Sequence, residues 1–414
     1  MDAADINDLA TAAGARLLAE VAEQLATGSE LSVLERVGSR VGAARASAAV
    51  AQVSLRAKAA GKIGEVDAGR MFFTPVGLEQ ATRARVATHR AAVAADRIGV
   101  GVLTDLGCGL GADLIAFARV GFDVTGVESD PLTAACAVAN LRSLGLAGRV
   151  VVGDATTVEL PSGGVVFCDP ARRDERGRVF DLARVTPPWP FVLELLTASA
   201  CVKVGPGIAH RDVPSEVGGT PVSAEWVSDD ATVTEACLRS GRLADAGGSG
   251  RTFRATVLTA TDPAGSSVSG DPSVRASTGA IGEYLYEPDG AVIRAGLIGT
   301  LAPALEAHLI DAQIAYLTSP TLTRSAFARP YRILDELPHR TKALKAAVRS
   351  RGIGTLTIKK RGVDIDPAVL RRELIGPRGH GSETATIVLT RRAGRRIALL
   401  VEPVEPAAPG QLAG

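Results

Sequence analysis

Asp105, Gly107, Gly109 and Gly111 fall within seven residues, and Glu128, Asp154 and Asp169 follow in turn, a spacing suited to holding a nucleotide-type cofactor. Glycines, having no Cβ, let the backbone turn tightly and bring amide groups up to a ligand at the start of the next helix. Gly107, Gly109 and Ala112 satisfy a G-x-G-x-x-G/A dinucleotide pattern, and Glu128, 21 residues beyond Gly107, stands where a ribose-binding acid belongs. Asp105 separates the possible ligands. Two residues before the first glycine, at the end of a strand, its carboxylate would face a cationic group and repel a pyrophosphate.

Strand ends have to present these residues. Val100, Val102 and Leu103 lead into the glycine run, Val150-Val151-Val152 leads into Gly153-Asp154-Ala155, and Val165-Val166-Phe167 leads into Cys168-Asp169-Pro170, so three apolar strands each close on an aspartate. Alternating strand and helix patterns predict a parallel sheet with right-handed crossovers, its strands near 100–105, 122–127, 149–153, 164–169 and 200–205. Strands near 222–227, 231–238 and 252–259, with less helix between them, predict a closing antiparallel hairpin. Upstream, residues 3–66 are spaced as helices. A further helix is predicted over 75–97, with Thr74 as N-cap and Pro75 first.

This order of motifs resembles the class I S-adenosylmethionine-dependent methyltransferases over residues 75–260. The resemblance implies an α/β fold with a Rossmann-like sheet and S-adenosyl-L-methionine as cofactor. It implies that Asp105 and the loop of Gly107, Cys108, Gly109 and Gly111 lie near the methionine part, that Glu128 binds the ribose hydroxyls, and that Asp154 and Ala155 meet the adenine. Ser129 and Asp169 complete the expected cofactor set.

Chemistry is expected at Asp169-Pro170-Ala171-Arg172-Arg173, with Asp169, Pro170 and Arg172 as catalytic candidates. Amino-methylating relatives carry D-P-P-[YFW] here, where acid and proline carbonyl orient an amine and the aromatic stacks on its base. Ala171 and Arg172 depart from that pattern. Arg172 or Arg173 could stack on a base or hold a phosphate, and Trp189, in Pro187-Pro188-Trp189-Pro190, is the nearest replacement aromatic or else a packed loop residue. Cys168 would face away if Asp169 faces the ligand, because side chains alternate along a strand. Lys203, with Asp169 and Glu225, is similar to the lysine–aspartate–lysine–glutamate set of ribose 2′-O-methyltransferases, with Lys58 and Lys62 as the available first lysines.

Charge is segregated along the chain. The whole carries +1, yet residues 339–396 hold 15 Lys and Arg against 4 Asp and Glu, a net +11, which leaves −10 for the remainder. That segment reads as a small α+β module: helix 341–350, strand 355–360, helix 367–374, strand 384–390, a turn at Ala393-Gly394, and strand 396–401. With Gly354-Thr355-Leu356-Thr357-Ile358-Lys359-Lys360-Arg361-Gly362, it resembles the methyltransferases that carry a C-terminal THUMP-like domain, a family linked by analogy to RNA modification. Lys359, Lys360, Arg361, Arg371, Arg372, Arg391 and Arg395 are the candidate RNA contacts, suited to neutralising phosphates although no aromatics interleave them.

The expected organisation is a helical region over 1–74, the methyltransferase domain over 75–261, a linker and accessory region over 262–337 whose Tyr284, Tyr286 and Tyr331 are packing residues, and the basic module over 338–406. Five widely spaced cysteines read as reduced core thiols, and no Cys or His stands at metal-ligand spacing, so no metal is expected. With no membrane span and no basic-then-apolar leader, a cytoplasmic protein is expected. These readings converge on an RNA methyltransferase acting on a base nitrogen of tRNA or rRNA. The alternatives are a ribose 2′-O-methyltransferase, a non-catalytic RNA-binding protein on the same fold, and a small-molecule methyltransferase.

Overall fold

The structure is a computed structural model, describing residues 1–172, 182–245, 251–376 and 381–404. It divides into two units, Met1–Ala224 with Glu235–Gly248, and Glu225–Thr234 with Ser249–Gly414.

The first unit opens with helices α1 (Ala3–Leu9), α2 (Ala12–Thr27), α3 (Glu30–Val41) and α4 (Ala43–Ile63). Their starts follow from local chemistry: Asp2 and Asp5 form a capping box, and the Thr11 and Ser29 hydroxyls accept from the Gly14 and Ser32 amides. Ile6, Leu17, Leu18, Val21, Val33 and Val37 are buried on their inner faces. Helix α5 (Pro75–Gln80) begins as expected, with Thr74 accepting from Gly77 N at 3.0 Å. The single helix expected over 75–97 is broken, however, and α6 (Ala84–Ile98) starts afresh. Thr82 stands in the break, buried, with its hydroxyl donating to Asp113 Oδ2 at 2.7 Å and accepting from Lys203 at 3.1 Å. Those long-range bonds favour the break over continued helix, which no local pattern encodes.

The sheet runs through β1 (Val102–Leu106), β2 (Asp123–Glu128), β3 (Arg149–Val152), β4 (Val165–Cys168) and β5 (Ala200–Val204), all parallel, in the order β5-β4-β1-β2-β3. Helices α7 (Ala112–Arg119) and α8 (Pro131–Ser143) cross over between the first strands. Beyond β5, the hairpin of β6 (Thr220–Asp229) and β7 (Thr232–Ser240) adds β7 antiparallel, with Cys237 opposite Lys203. Asp230 and Ala231, with φ of 47° and 61°, make the tight turn of that hairpin.

In the second unit, β8 (Phe253–Leu258) pairs antiparallel with β9 (Ser266–Gly270). Two short helices follow, Gly290–Arg294 and Ile298–Ala304, separated by Gly296 at φ 73°. A seven-stranded sheet follows, built from β10 (Tyr284–Pro288), β11 (His308–Asp311), β12 (Ile314–Ser319), β13 (Ala328–Leu337), β14 (Ile353–Lys360), β15 (Glu383–Arg392) and β16 (Arg395–Pro403). Its order is β11-β12-β10-β13-β16-β15-β14, with only β14 and β15 parallel among the pairings described. Helices α9 (Thr341–Ser350) and α10 (Pro367–Ile375) bury Leu344, Val348, Leu370 and Leu374 against Ile353, Leu356, Ile387 and Leu400. Four strands of this sheet thus come from residues 284–337, which carry no readable chemistry. Tyr286 and Tyr331 are fully buried, as expected of packing residues.

Candidate cofactor and acceptor site

Gly107, Gly109 and Gly111 adopt φ of 81°, 56° and 83°, so each of the three glycines uses the left-handed freedom its residue type provides. Gly107 N and Cys108 N donate to Val127 O at 2.9 and 3.0 Å, and Gly111 caps α7. The turn lies close over β2: a Cβ on Gly126 would stand 2.7 Å from Cys108 Sγ and 3.0 Å from Leu114. Glu128 closes the other side, accepting from Gly109 N at 3.0 Å and Asp130 N at 2.9 Å, with the exposed Ser129 hydroxyl 3.4 Å away. Burial raises the Cys108 thiol well above its usual value, which leaves it a packing group.

Asp105, at the end of β1, is 1% exposed, and neither of its carboxylate oxygens has a hydrogen-bond partner among the described residues. Burial, then the neighbouring Asp169 charge, pushes its carboxyl up to about 8. A buried acid left without a donor is costly unless a ligand supplies one. The α-ammonium of S-adenosylmethionine is such a donor, so this residue fits the expected cofactor. Asp154, by contrast, is exposed at the end of β3, where the Thr156 amide and hydroxyl, each 2.8 Å away, hold its carboxyl below the usual range; Ala155 follows it half-buried.

At the end of β4, Asp169 is half-buried and its Oδ2 accepts from Lys203 Nζ at 2.6 Å. The carbonyl oxygen of Asp169 would lie 3.8 Å from a Cβ on Gly107, so the turns after β1 and β4 abut. Burial works to lower the Lys203 ammonium, but Asp169 and Glu235 more than offset it and hold it above lysine's usual value. The expected fourth member, Glu225, accepts from Thr256 at 2.5 Å, and the carboxylate that joins Asp169 in acting on Lys203 is Glu235. Lys62 bonds the carbonyls of Leu78 and Glu79 at 2.9 and 2.6 Å, its ammonium lowered by burial and then by Lys203 and Arg83. Cys168 is fully buried and its thiol driven up by desolvation, which removes it as a nucleophile.

Behind Lys203 runs a chain of buried charge that the motifs do not announce. Lys203 meets Thr82, Thr82 meets Asp113, and Asp113 meets Arg90, which is 2% exposed, also pairs with Glu235, and lies 4.8 Å over the Phe167 ring. A signal was present: Arg90 stands on the α6 face that buries Val86, Ala87 and Ala94, and a charge at the period of an apolar stripe needs a partner.

Pro170 is half-buried. Ala171 and Arg172 form a short ladder with Val185 and Thr186, while the Arg172 side chain and the whole of Arg173 lie outside the described residues. Trp189 is half-buried at the start of the helix Trp189–Leu195. All five cysteines are free and buried. Among the described residues, no group of His, Cys, Asp or Glu is placed to hold a metal ion, and no helix is long and apolar enough to cross a membrane.

The basic candidates of the second unit divide by exposure. Lys359 is tied to Glu287 at 2.6 Å and lies over Tyr331, Arg361 bonds Ala315 O at 3.2 Å and lies over Tyr316, and Arg391 reaches Gln313 at 3.5 Å. Lys360 and Arg395 are exposed, as are Arg371 and Arg372 on α10. Register places Lys360 beside Leu389, and Arg391 and Arg392 opposite Arg396 and Arg395, so residues 359–361 and 391–396 share one end of the sheet.

Residues 328–403 match the THUMP domain-like family, and residues 2–59 match a domain of unknown function, DUF8688. Over 342 residues, 81% of this chain and 90% of the relative, the sequence is 34% identical to an uncharacterised S-adenosylmethionine-dependent methyltransferase of Mycobacterium tuberculosis. The fold is similar to that of a protein of Porphyromonas gingivalis W83 classed as a methyltransferase, with a TM-score of 0.74 at 22% identity over 94% of this chain and 98% of that one. A turn of three left-handed glycines under a buried acid, on a sheet of this order, agrees with that kinship, and the chain belongs to the S-adenosylmethionine-dependent methyltransferases that carry a C-terminal THUMP-like domain.

Proposed function

We propose that this methyltransferase modifies a base nitrogen of tRNA or rRNA. The observation that carries the RNA part is the exposed cationic end of the THUMP-like sheet, with Lys360, Arg395 and Arg396 beyond the reach of the ion pairs that occupy Lys359 and Arg392. Clustered cations of this kind neutralise backbone phosphates and make binding salt-dependent.

Bound in the first unit, S-adenosylmethionine supplies an electrophilic methyl group on a sulfonium. Asp105 would hold its ammonium, Glu128 its ribose hydroxyls, and Asp154 with Ala155 its adenine, while the loop Gly107–Gly111 lets the backbone approach. Methyl transfer needs little acid–base help beyond placing the nucleophile in line. Asp169, whose carbonyl lies beside the glycine turn, would aim it together with Pro170. A ribose hydroxyl would need a base, and Lys203, held protonated by Asp169 and Glu235, is poorly suited to that task.

Calorimetric titration with S-adenosylmethionine, wild type against Asp105→Ala, run beside tritiated-methyl transfer to total RNA, tests this reading. Binding lost in the variant and label entering RNA support it. Binding by the wild type with no label in RNA would remove RNA as the substrate.

A further inference from the structure

The geometry points to an acceptor that is the lactam nitrogen of guanine or uracil, with Asp169 taking its proton and Lys203 holding the adjacent carbonyl oxygen. The inference rests on the RNA reading above and narrows it. Asp169 Oδ2 is occupied by Lys203 Nζ at 2.6 Å, and Oδ1 has no bond among the described residues, so the carboxylate offers one open acceptor. Lys203 has three N–H groups, one given to Asp169 and one to Thr82 at 3.1 Å, which leaves one donor. One acceptor beside one cationic donor matches an N–H next to a C=O, as in guanine N1–H and O6 or uracil N3–H and O4.

Adenine and cytosine also place an N–H beside an acceptor, but the charge discriminates against them. A cation bonded to the ring nitrogen of an amidine withdraws electrons from the exocyclic amine and weakens it as a nucleophile. The same cation at a lactam oxygen stabilises the negative charge that gathers there as the nitrogen loses its proton. Lys203 is suited to this by its surroundings: its side chain is 17% exposed and fixed by Thr82, which Asp113 and Arg90 fix in turn. The missing aromatic of the fourth motif agrees, since a base held by two polar contacts along one edge depends less on stacking. In the step, the nitrogen–methyl bond forms as the methyl–sulfur bond of the sulfonium breaks, the electron pair stays on the thioether sulfur, and the lactam proton passes to Asp169.

The test is to label total RNA with the full-length protein and identify the methylated nucleoside by mass spectrometry. We expect 1-methylguanosine or 3-methyluridine. Methyl on an exocyclic amine, a ring carbon or a ribose oxygen overturns this inference and leaves the RNA reading standing; no label in RNA, with S-adenosylmethionine bound, overturns both. A binding readout is independent of turnover. In the target RNA, replacing the guanine by 2-aminopurine, or the uracil by pyrimidin-2-one, removes both the N–H and the C=O. Wild type should then bind about tenfold more weakly, and Lys203→Met, which keeps only the Asp169 contact, should lose part of that preference. Lys203→Arg, which keeps charge and donors, should restore the preference and show that the site still folds. Equal binding of both RNAs by the wild type overturns the proposal.

Discussion

At the scale of the residue, Asp105 sets stability against binding. Its carboxyl, raised to about 8 from 3.8, stays protonated in the folded protein where the unfolded chain has already ionised it. The ligand-free protein therefore loses stability as pH rises from about 4 through about 8, in proportion to the proton held only by the folded state. Asp105→Asn should raise the thermal stability of the ligand-free protein at neutral pH, by about 2 kcal/mol, while weakening S-adenosylmethionine about 100-fold in a calorimetric titration. A cationic ligand needs the ionised acid, so wild-type affinity should climb with pH up to about 8, with proton release visible as a dependence of binding heat on buffer. The basic candidates differ in kind at this scale. Lys359, whose ammonium is lowered by burial but raised more by Glu287 and Tyr331, belongs to the packing of the sheet. Lys359→Ala should lower the melting temperature, whereas Lys360→Ala should leave it unchanged and weaken RNA in a filter-binding assay.

At the scale of the element, β2 and α6 carry constraints that the motifs do not show. Gly126 on β2 lies directly under the cofactor turn, and the Cβ of Gly126→Ala would meet Cys108 Sγ at 2.7 Å. The loop would have to lift, costing about 1–3 kcal/mol in chemical denaturation, and S-adenosylmethionine affinity should fall although no residue of the loop has changed. Helix α6 brings Arg90 to Asp113 and Glu235. Arg90→Met strands two buried carboxylates and should cost about 3–5 kcal/mol in the same measurement. The helical period marks Arg90 as a charge on an apolar face; its partners, on α7 and β7, have no local signature. The same holds for the break at Thr82, whose hydroxyl is claimed by residues 31 and 121 positions away.

At the scale of the whole molecule, charge is divided between segments: the basic tail of the chain offsets an acidic remainder, for a total of +1. Reversing Arg371, Arg372, Arg395 and Arg396 to glutamate should reduce RNA affinity at least tenfold and flatten its dependence on salt, with S-adenosylmethionine affinity unaltered. Measuring binding across a salt series checks this, since a purely structural role for these arginines would leave the slope in place.

Much of this chain is legible from residues that are neighbours in sequence. Three apolar runs closing on Asp105, Asp154 and Asp169, with a glycine turn after the first, are enough to expect the cofactor class and the parallel sheet, because strand ends and left-handed turns impose local requirements on residue type. The hairpin of the basic module is legible for the same reason: Ala393 and Gly394, at φ of 48° and 76°, lie where the turn was expected. Pairings between distant residues are not legible. Lys203 meets Asp169 across 34 positions and Arg90 meets Glu235 across 145, and folding alone adds Glu235 to Asp169 as a carboxylate acting on Lys203. A buried charge must find a partner wherever the crossovers bring one, and the crossovers are set by the packing of the whole sheet.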